Sequence, residues 1–422
     1  MTTTTDSLPF LTADLPGIGG VIKRYNEDFV VEEMPLYPAS GQGTHIYFTI
    51  EKQGLTTLAA IKMVAHALGR EPRDIGYAGM KDAHGITRQM LSVEHMEPDR
   101  VRNLDVSRIK ILSVDRHGNK IKLGHLAGNR FDLKVRDFAA GTLPRARAIV
   151  DRLVKRGVPN YFGPQRFGAR GDNANIGLAV LCGNYEEAIA LILGRVSSFD
   201  HGQVRKAREL FDAGDLRGAM LAWPGGFREQ QRVGREMLKT GGDAQRAWRA
   251  VDHTLRKLYI SAFQSELFNQ VLSLRLEKLD RLLTGDWAWK HVNGACFLVE
   301  DAATEQPRCD AFEISPTGPL FGPRMSDAVG EPGRIETQVL MDADITRDQI
   351  QSRFAVAVAG GRRPLRVPLK EAAVDEGRDD RGPFLRLCFA LPAGSYATNV
   401  TREICKAKDL QEEETDRLPD EN

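Results

Sequence analysis

RIKILSVDRHGNKIKLGHLAGNRFDLKVRDF, residues 108–138, alternates apolar and polar positions at both of its ends around a glycine-marked middle. Period-two alternation is the signature of a half-buried strand. The segment therefore reads as strand, turn, strand, a Gly-bounded loop at 124–128, and strand. Upstream, VIKRYNEDFVVEEM and THIYFTIEK give two more strand signals. LTTLAAIKMVAHALGR follows with Leu58, Ile61, Val64, Ala65 and Leu68 at helical spacing and Gly69 placed to stop the helix. Downstream, Pro144 to Arg156 carries Ile149, Val150, Leu153 and Val154 on a helical stripe that ends at Gly157. Strands and helices alternate without a regular βαβ period, which predicts an α+β fold and not a doubly wound sheet.

At 422 residues the chain exceeds what one core usually holds, so a second domain or a large insertion is expected. From about residue 165 helical patterns dominate, the longest being VDHTLRKLYISAFQSELFNQVLSLRLEKL. A Gly/Pro-rich stretch, ISPTGPLFGPRMSDAVGEPG, interrupts them. The fold closes on FLRLCFALPAGSYATNVTREI, a strand, a loop and a short helix. A helical insertion within an α+β domain and a free-standing second domain both produce this order. The polar stretch LKEAAVDEGRDDRGP before the last strand reads as a surface excursion over 370–383, and residues 411–422 as an acidic, disordered tail.

With 42% apolar and 27% charged residues the chain is of ordinary globular composition, and its net charge of +1 implies no partner. The distribution of charge is more telling, because residues 101–170 carry sixteen Lys/Arg against five Asp/Glu. Such a segment suits a polyanion, or else forms a solvated face balanced elsewhere in the fold. Five scattered cysteines offer neither a disulfide framework nor metal-ligand spacing. No basic leader and no long apolar run is present, which predicts a cytoplasmic protein without membrane contact.

Between two apolar stretches lies GYAGMKDAHGITRQ, residues 76–89. Its Asp82 is by local sequence a turn residue hydrogen-bonding nearby backbone, or else a reactive carboxylate whose neighbour Lys81 favours its ionised form. Phe131 is by position a core-facing strand residue, Asn129 a turn residue and Lys23 a strand-edge cation. His125 in its loop more often makes a structural hydrogen bond than acts as a base.

Taken together, IKRYNEDFVVEE (22–33), AGMKDAHGITRQ (78–89), HLAGNRF (125–131), NYFGPQRFG (160–168), SAFQSELFN (261–269), PTGPLFG (316–322) and LPAGSYATNVTRE (391–403) resemble the TruD family of tRNA pseudouridine synthases in order and spacing. The resemblance spans about residues 15–408, with Asn26 standing where the family usually has proline. It implies a pseudouridine-synthase-type mixed, mainly antiparallel sheet with flanking helices. The catalytic domain would occupy 1–164 and 362–410 and carry a helix-rich insertion domain at 165–361, the far wall of an RNA cleft. It further implies Asp82 as the catalytic carboxylate, Phe131 as the aromatic that stacks on the target uracil, and Asn129, Lys23 and Lys81 as residues at the substrate. The expected reaction is isomerisation of uridine 13 in the D-arm of tRNA, with base flipping, no cofactor, no metal and no obligate protein partner in a monomer.

The chemistry is consistent with those residue types. Moving uracil from a nitrogen-1 to a carbon-5 linkage needs a carboxylate beside the ribose. An aromatic face must hold the freed base, and the nucleotide must leave its stack. Arg116, Lys120, Lys122, Arg130, Arg145, Arg147, Arg152, Lys155 and Arg156 are the candidates for backbone phosphates. The competing reading is an RNA-binding or RNA-folding protein of the same fold that acts without turnover.

Overall fold

A computed structural model describes residues 8–354 and 358–406. The acidic tail expected at 411–422 lies outside the described residues. Two compact units divide the chain: one comprises Pro159–Arg366 with the residues up to Leu11, the other Thr12–Val158 with the residues from Val367 onward. The sequence-based junctions stand at 164/165 and 361/362. The fold is α+β, with a mainly antiparallel sheet in the second of these units and many helices in the first.

The α+β unit is built on a nine-stranded sheet. Its strands are β1 (Gly19–Val21), β2 (Phe29–Pro35), β3 (His45–Gln53), β4 (Gly76–Tyr77), β5 (Ile86–Glu94), β6 (Ile109–His117), β7 (Leu126–Phe138), β8 (Lys370–Asp379) and β9 (Gly382–Pro392). The spatial order is β8-β9-β7-β2-β5-β3-β6, with β1 on β7 and β4 on β5, and only β2 and β5 run parallel. β7 is the long central strand. Phe131, Leu133 and Val135, two apart, are buried on one face.

Helices close the sheet: α1 (Thr57–Leu68), α2 (Pro98–Arg102), α3 (Leu143–Arg156) and α4 (Ala397–Cys405). In α1 the Thr56 hydroxyl accepts the Ala59 N–H, Gly69 ends the helix in the left-handed region, and Ala60, Ile61, Val64, Ala65 and Leu68 are buried. That stripe packs on Ile46, Phe48 and Ile50 of β3 and on Leu91 and Val93 of β5.

Three departures from the sequence reading have clear causes. Lys120–Leu123 forms no strand, because the Ile121 N–H goes to the Ser92 hydroxyl (2.9 Å) and not to a ladder. Gly128 and Asn129 are not loop residues but sit inside β7, Asn129 pairing with Glu33 and Leu391. The supposed excursion at 370–383 is the β8–β9 hairpin, polar because β8 is the edge of the sheet. Edge position also explains what its acids do. Asp379 and the fully buried Asp28 both ligate the Arg136 guanidinium, Asp28 at 2.6 Å through two nitrogens and Asp379 at 2.8 and 3.0 Å.

In the helical unit, His253–Arg275 is the long axis, surrounded by helices Asn173–Leu181, Tyr185–Leu193, Arg228–Thr240 and Ala244–Ala250. A four-stranded sheet orders Cys296–Leu298, Trp287–Lys290, Ile314–Leu320 and Gly361–Pro364. The Gly/Pro-rich stretch that interrupts the helical patterns begins as a buried strand, Ile314–Leu320, so packing overrides the local composition.

The Arg136 guanidinium holds the Asp379 carboxyl well below the usual carboxylate range, with Lys134 adding to it. A depressed folded value stabilises above the unfolded value and is lost as the pH falls below it. Arg136→Met leaves Asp28 charged, buried and unpaired, and is expected to lower the urea-unfolding free energy at pH 7 by about 3–5 kcal/mol. Part of the native chain's advantage over this variant should vanish between about pH 4 and pH 2. An unchanged urea midpoint would show that the pair contributes nothing net.

Candidate active site

The site lies on one face of β2 and β7. Glu33 and Val31 of β2 stand opposite Asn129 and Phe131 of β7, and Phe131 stands opposite Phe389 of β9. The two-residue period puts all of them on the same side of the sheet. The Phe131 ring stacks on Phe389 at 5.2 Å between centroids and meets Phe29 edge-on at 6.4 Å. It is 6% exposed. The Asn129 side-chain oxygen is buried beside it and accepts no hydrogen bond from the described residues, an arrangement that leaves an acceptor available for a ligand.

Residues 78–85 cross this face between β4 and β5 and are tied down through one side chain and three backbone groups. Lys81 turns inward to a buried ion pair with Glu33, Nζ to Oε2 2.6 Å. Its N–H donates to the Thr57 hydroxyl (2.8 Å), which in turn donates to Gln89 Oε1 (3.0 Å). The Lys52 ammonium, fully buried, donates to the carbonyls of Asp82 (2.8 Å) and Leu55 (2.6 Å). The Gly85 N–H donates to the Asn26 side-chain oxygen (3.0 Å). Asn26, which departs from the family's proline, thus supplies a tie that proline could not. Only glycine fits at 85, where φ is +141° and a Cβ would lie 2.5 Å from the Phe29 carbonyl oxygen.

With its backbone held, the Asp82 side chain remains 35% exposed, and Lys23 Nζ lies 3.4 Å from its Oδ1. Lys23 adopts φ +59°, costly for a side-chain-bearing residue, and sets its ammonium 4.4 Å above the Phe29 ring. Lys81, adjacent in sequence, does not serve Asp82, because its charge is matched by Glu33. An accessible carboxylate on a pinned backbone, one cation beside it and an aromatic wall can act as nucleophile or base towards a sugar.

The candidate phosphate ligands divide. Arg130 pairs with Glu371 (2.8 Å), Arg147 with Asp375 (3.3 Å), Arg152 with Asp14 and Arg116 with Glu97 (3.9 Å). Arg145 donates to the Gly17 carbonyl (3.1 Å) and Lys120 to the Arg73 carbonyl (2.6 Å). Lys122 and Lys155 are exposed, and Arg156 is half-buried. Much of the local charge excess is therefore balanced by acids distant in sequence. His125 makes a structural hydrogen bond, its Nδ1 2.8 Å from the Tyr37 hydroxyl.

Lys52 and Glu33 escaped sequence reading, though one signal was present. Lys52 continues the buried register of Ile46, Phe48 and Ile50 in β3, where a lysine must find partners. Burial pulls its ammonium down to about 8, with the Asp82 carboxylate opposing that shift and the Lys81 charge adding to it.

Residues 7–404 match the sequence profile of the family described as tRNA pseudouridine synthase D (TruD). A tRNA pseudouridine synthase D of Geobacter sulfurreducens is 48% identical over 94% of this chain and 96% of its own. A counterpart from Thermus thermophilus is 36% identical over 98% and 96%. The crystal structure of a Methanosarcina mazei protein, named as a candidate tRNA pseudouridine synthase D, superposes with a TM-score of 0.84 at 25% identity, covering 96% of this chain and 97% of its own. Among the described residues no helix is long and apolar enough to cross a membrane.

Between about pH 8 and 10.4 an unfolded lysine keeps its proton while the buried Lys52 gives its up, so the unfolded state binds more protons and stability rises with pH. Relative to Lys52→Met, the native chain is expected to gain up to about 3 kcal/mol across that window. In Lys52→Met the amides of residues 82–85 should also exchange with deuterium faster at pH 7. Parallel stability curves and unchanged exchange would show that the amine does not hold this loop.

Proposed function

Because this chain belongs to the TruD family of tRNA pseudouridine synthases, we propose that it converts uridine 13 of the tRNA D-arm to pseudouridine with Asp82 as the reacting carboxylate. The observation that carries this reading is the disposition of Asp82: a solvent-accessible carboxylate on a backbone held by buried Lys52 and Lys81, beside Lys23. The target nucleotide leaves its stack and enters this face. Asp82 either attacks carbon 1′ or removes the carbon 2′ proton, and the bond to uracil nitrogen 1 breaks. The uracil turns and carbon 5 bonds to carbon 1′, which releases the Asp82 carboxylate on the first route or returns the proton to carbon 2′ on the second. The carbon 5 proton departs and nitrogen 1 gains one, so the reaction is balanced without an external oxidant or reductant.

Phe131 and Phe389 offer a flat apolar wall for the detached base, and stacking of this kind contributes ~1–3 kcal/mol per base. The unpartnered Asn129 oxygen can accept the uracil N3–H. Lys23 offsets the charge of Asp82. Lys81 acts through the loop, since its ammonium is committed to Glu33. Backbone phosphates would engage the exposed cations, Lys122 and Lys155 among them.

Three tests follow from this reading. Asp82→Asn keeps shape and removes the charge, and single-turnover pseudouridine formation on a tRNA transcript is expected to fall at least ~100-fold, with tRNA affinity within a few-fold. A transcript with cytidine at 13 should yield no product with the native chain. Turnover by Asp82→Asn, or product from the cytidine transcript, would sink the respective assignment. Phe131→Leu keeps apolar volume without a flat ring. It is expected to melt within a few degrees of native while slowing the reaction about tenfold or more; a native rate would return Phe131 to a purely core role.

A further inference from the structure

Beside the catalytic loop the α+β unit carries a groove of about 550 Å³ between α1, the turn Pro72–Asp74, β4 and residues 120–123. Its floor is apolar, with Leu58, Tyr77 and Leu123 among the lining residues, and Leu58 and Leu123 are 48% and 68% exposed. Lys62, Arg73 and Lys122 stand exposed around it. The nearby carboxylates, Glu71 and Asp74, are occupied in capping the 72–74 turn. Exposed apolar surface ringed by cations fits a single strand of nucleic acid, whose bases stack while its phosphates meet the charges.

The groove is coupled to the catalytic loop through two hydrogen bonds. Leu58 follows Thr57, whose hydroxyl accepts the Lys81 N–H at 2.8 Å. The Gly124 N–H, just past the groove's Leu123, donates to the carbonyl of Ala78 at 2.8 Å. Gly76 lets the two segments approach, since a Cβ there would lie 2.5 Å from the Ile121 carbonyl oxygen. Tyr77 lies five residues before Asp82, a span of at most ~18 Å.

Resting on the tRNA reading above, we propose that this groove is a second RNA subsite, one that takes an unstacked nucleotide of the tRNA strand flanking the target uridine. The apolar floor receives its base, and Lys62, Arg73 and Lys122 receive the adjoining phosphates. Occupancy presses on the 120–124 segment and on α1, both hydrogen-bonded to the Asp82 loop, so that RNA seated beyond the target steadies the carboxylate.

The test is equilibrium binding of full-length tRNA to the native chain, Lys62→Ala/Lys122→Ala and Leu123→Ser at several salt concentrations, with pseudouridine formation by the native chain measured on the same tRNA. The double variant is expected to bind at least tenfold more weakly at physiological salt, with a log Kd against log salt slope shallower by about two. Leu123→Ser should weaken binding several-fold without changing the slope, because it removes stacking surface and no charge. Native affinity and slope in both variants, while the native chain still makes pseudouridine, would overturn the groove and leave the functional reading intact. A native chain that neither binds nor modifies tRNA would overturn both. Weakening by the lysine changes alone, with Leu123→Ser at native affinity, would reduce the site to a phosphate contact and overturn the base-binding groove.

Discussion

The buried ion pair between Lys81 and Glu33 is the constraint on which the rest of the site depends. Both side chains are nearly sealed from solvent, 4% and 2% exposed. Removing either would strand the other charge at a cost of about 3–5 kcal/mol. A pair so placed does little for net stability that apolar residues could not do, but it fixes register. Glu33 stands on β2 between Asn129 on β7 and the Met90 N–H on β5. Binding Lys81 there locates the loop across three strands, and Asp82, the next residue, keeps an accessible carboxylate beside Lys23. Lys52 and Asn26 then hold the carbonyl of 82 and the amide of 85.

This division of labour explains how a loop rich in glycine can hold the proposed reacting carboxylate in place. Pre-organisation matters because a carboxylate misplaced by about 1 Å from the reacting atom can cost two orders of magnitude in rate. The polar atoms that provide it are almost all buried, and each is matched by a backbone or side-chain partner at 2.6–3.3 Å. The Asp82 carboxylate, accessible beside Lys23, and the unpartnered Asn129 oxygen are the groups assigned to the proposed ligand.

The α+β class and the helix-rich character of the chain from about residue 165 were legible in the sequence because they rest on period and composition, which short windows contain. Strands β3, β6 and β7 and helices α1 and α3 follow from alternation, spacing and glycine stops. The polar edge strand β8 was not legible, since a strand with one solvated edge lacks an apolar stripe and borrows its stability from β9. The site was half legible. Asp82, Phe131 and Asn129 stood out only through the resemblance of whole motifs, whereas Lys81–Glu33 and Lys52–Asp82 are contacts 48 and 30 residues apart. The same long range hid the fate of the basic segment, whose Arg130, Arg136, Arg147 and Arg152 find acids at 371, 379 and 28, 375 and 14.

If the buried pair sets the position of Asp82, its removal as a unit should separate stability from catalysis. The measurement is the single-turnover rate of the Glu33→Leu/Lys81→Met double variant at saturating tRNA, beside its thermal melt. With both charges replaced by apolar groups of similar volume, no charge is stranded, and the melting temperature is predicted to stay within several degrees of native. The rate is predicted to fall by about a hundredfold, because a displaced carboxylate is a poor catalyst. A folded double variant that turns over at the native rate would contradict the account.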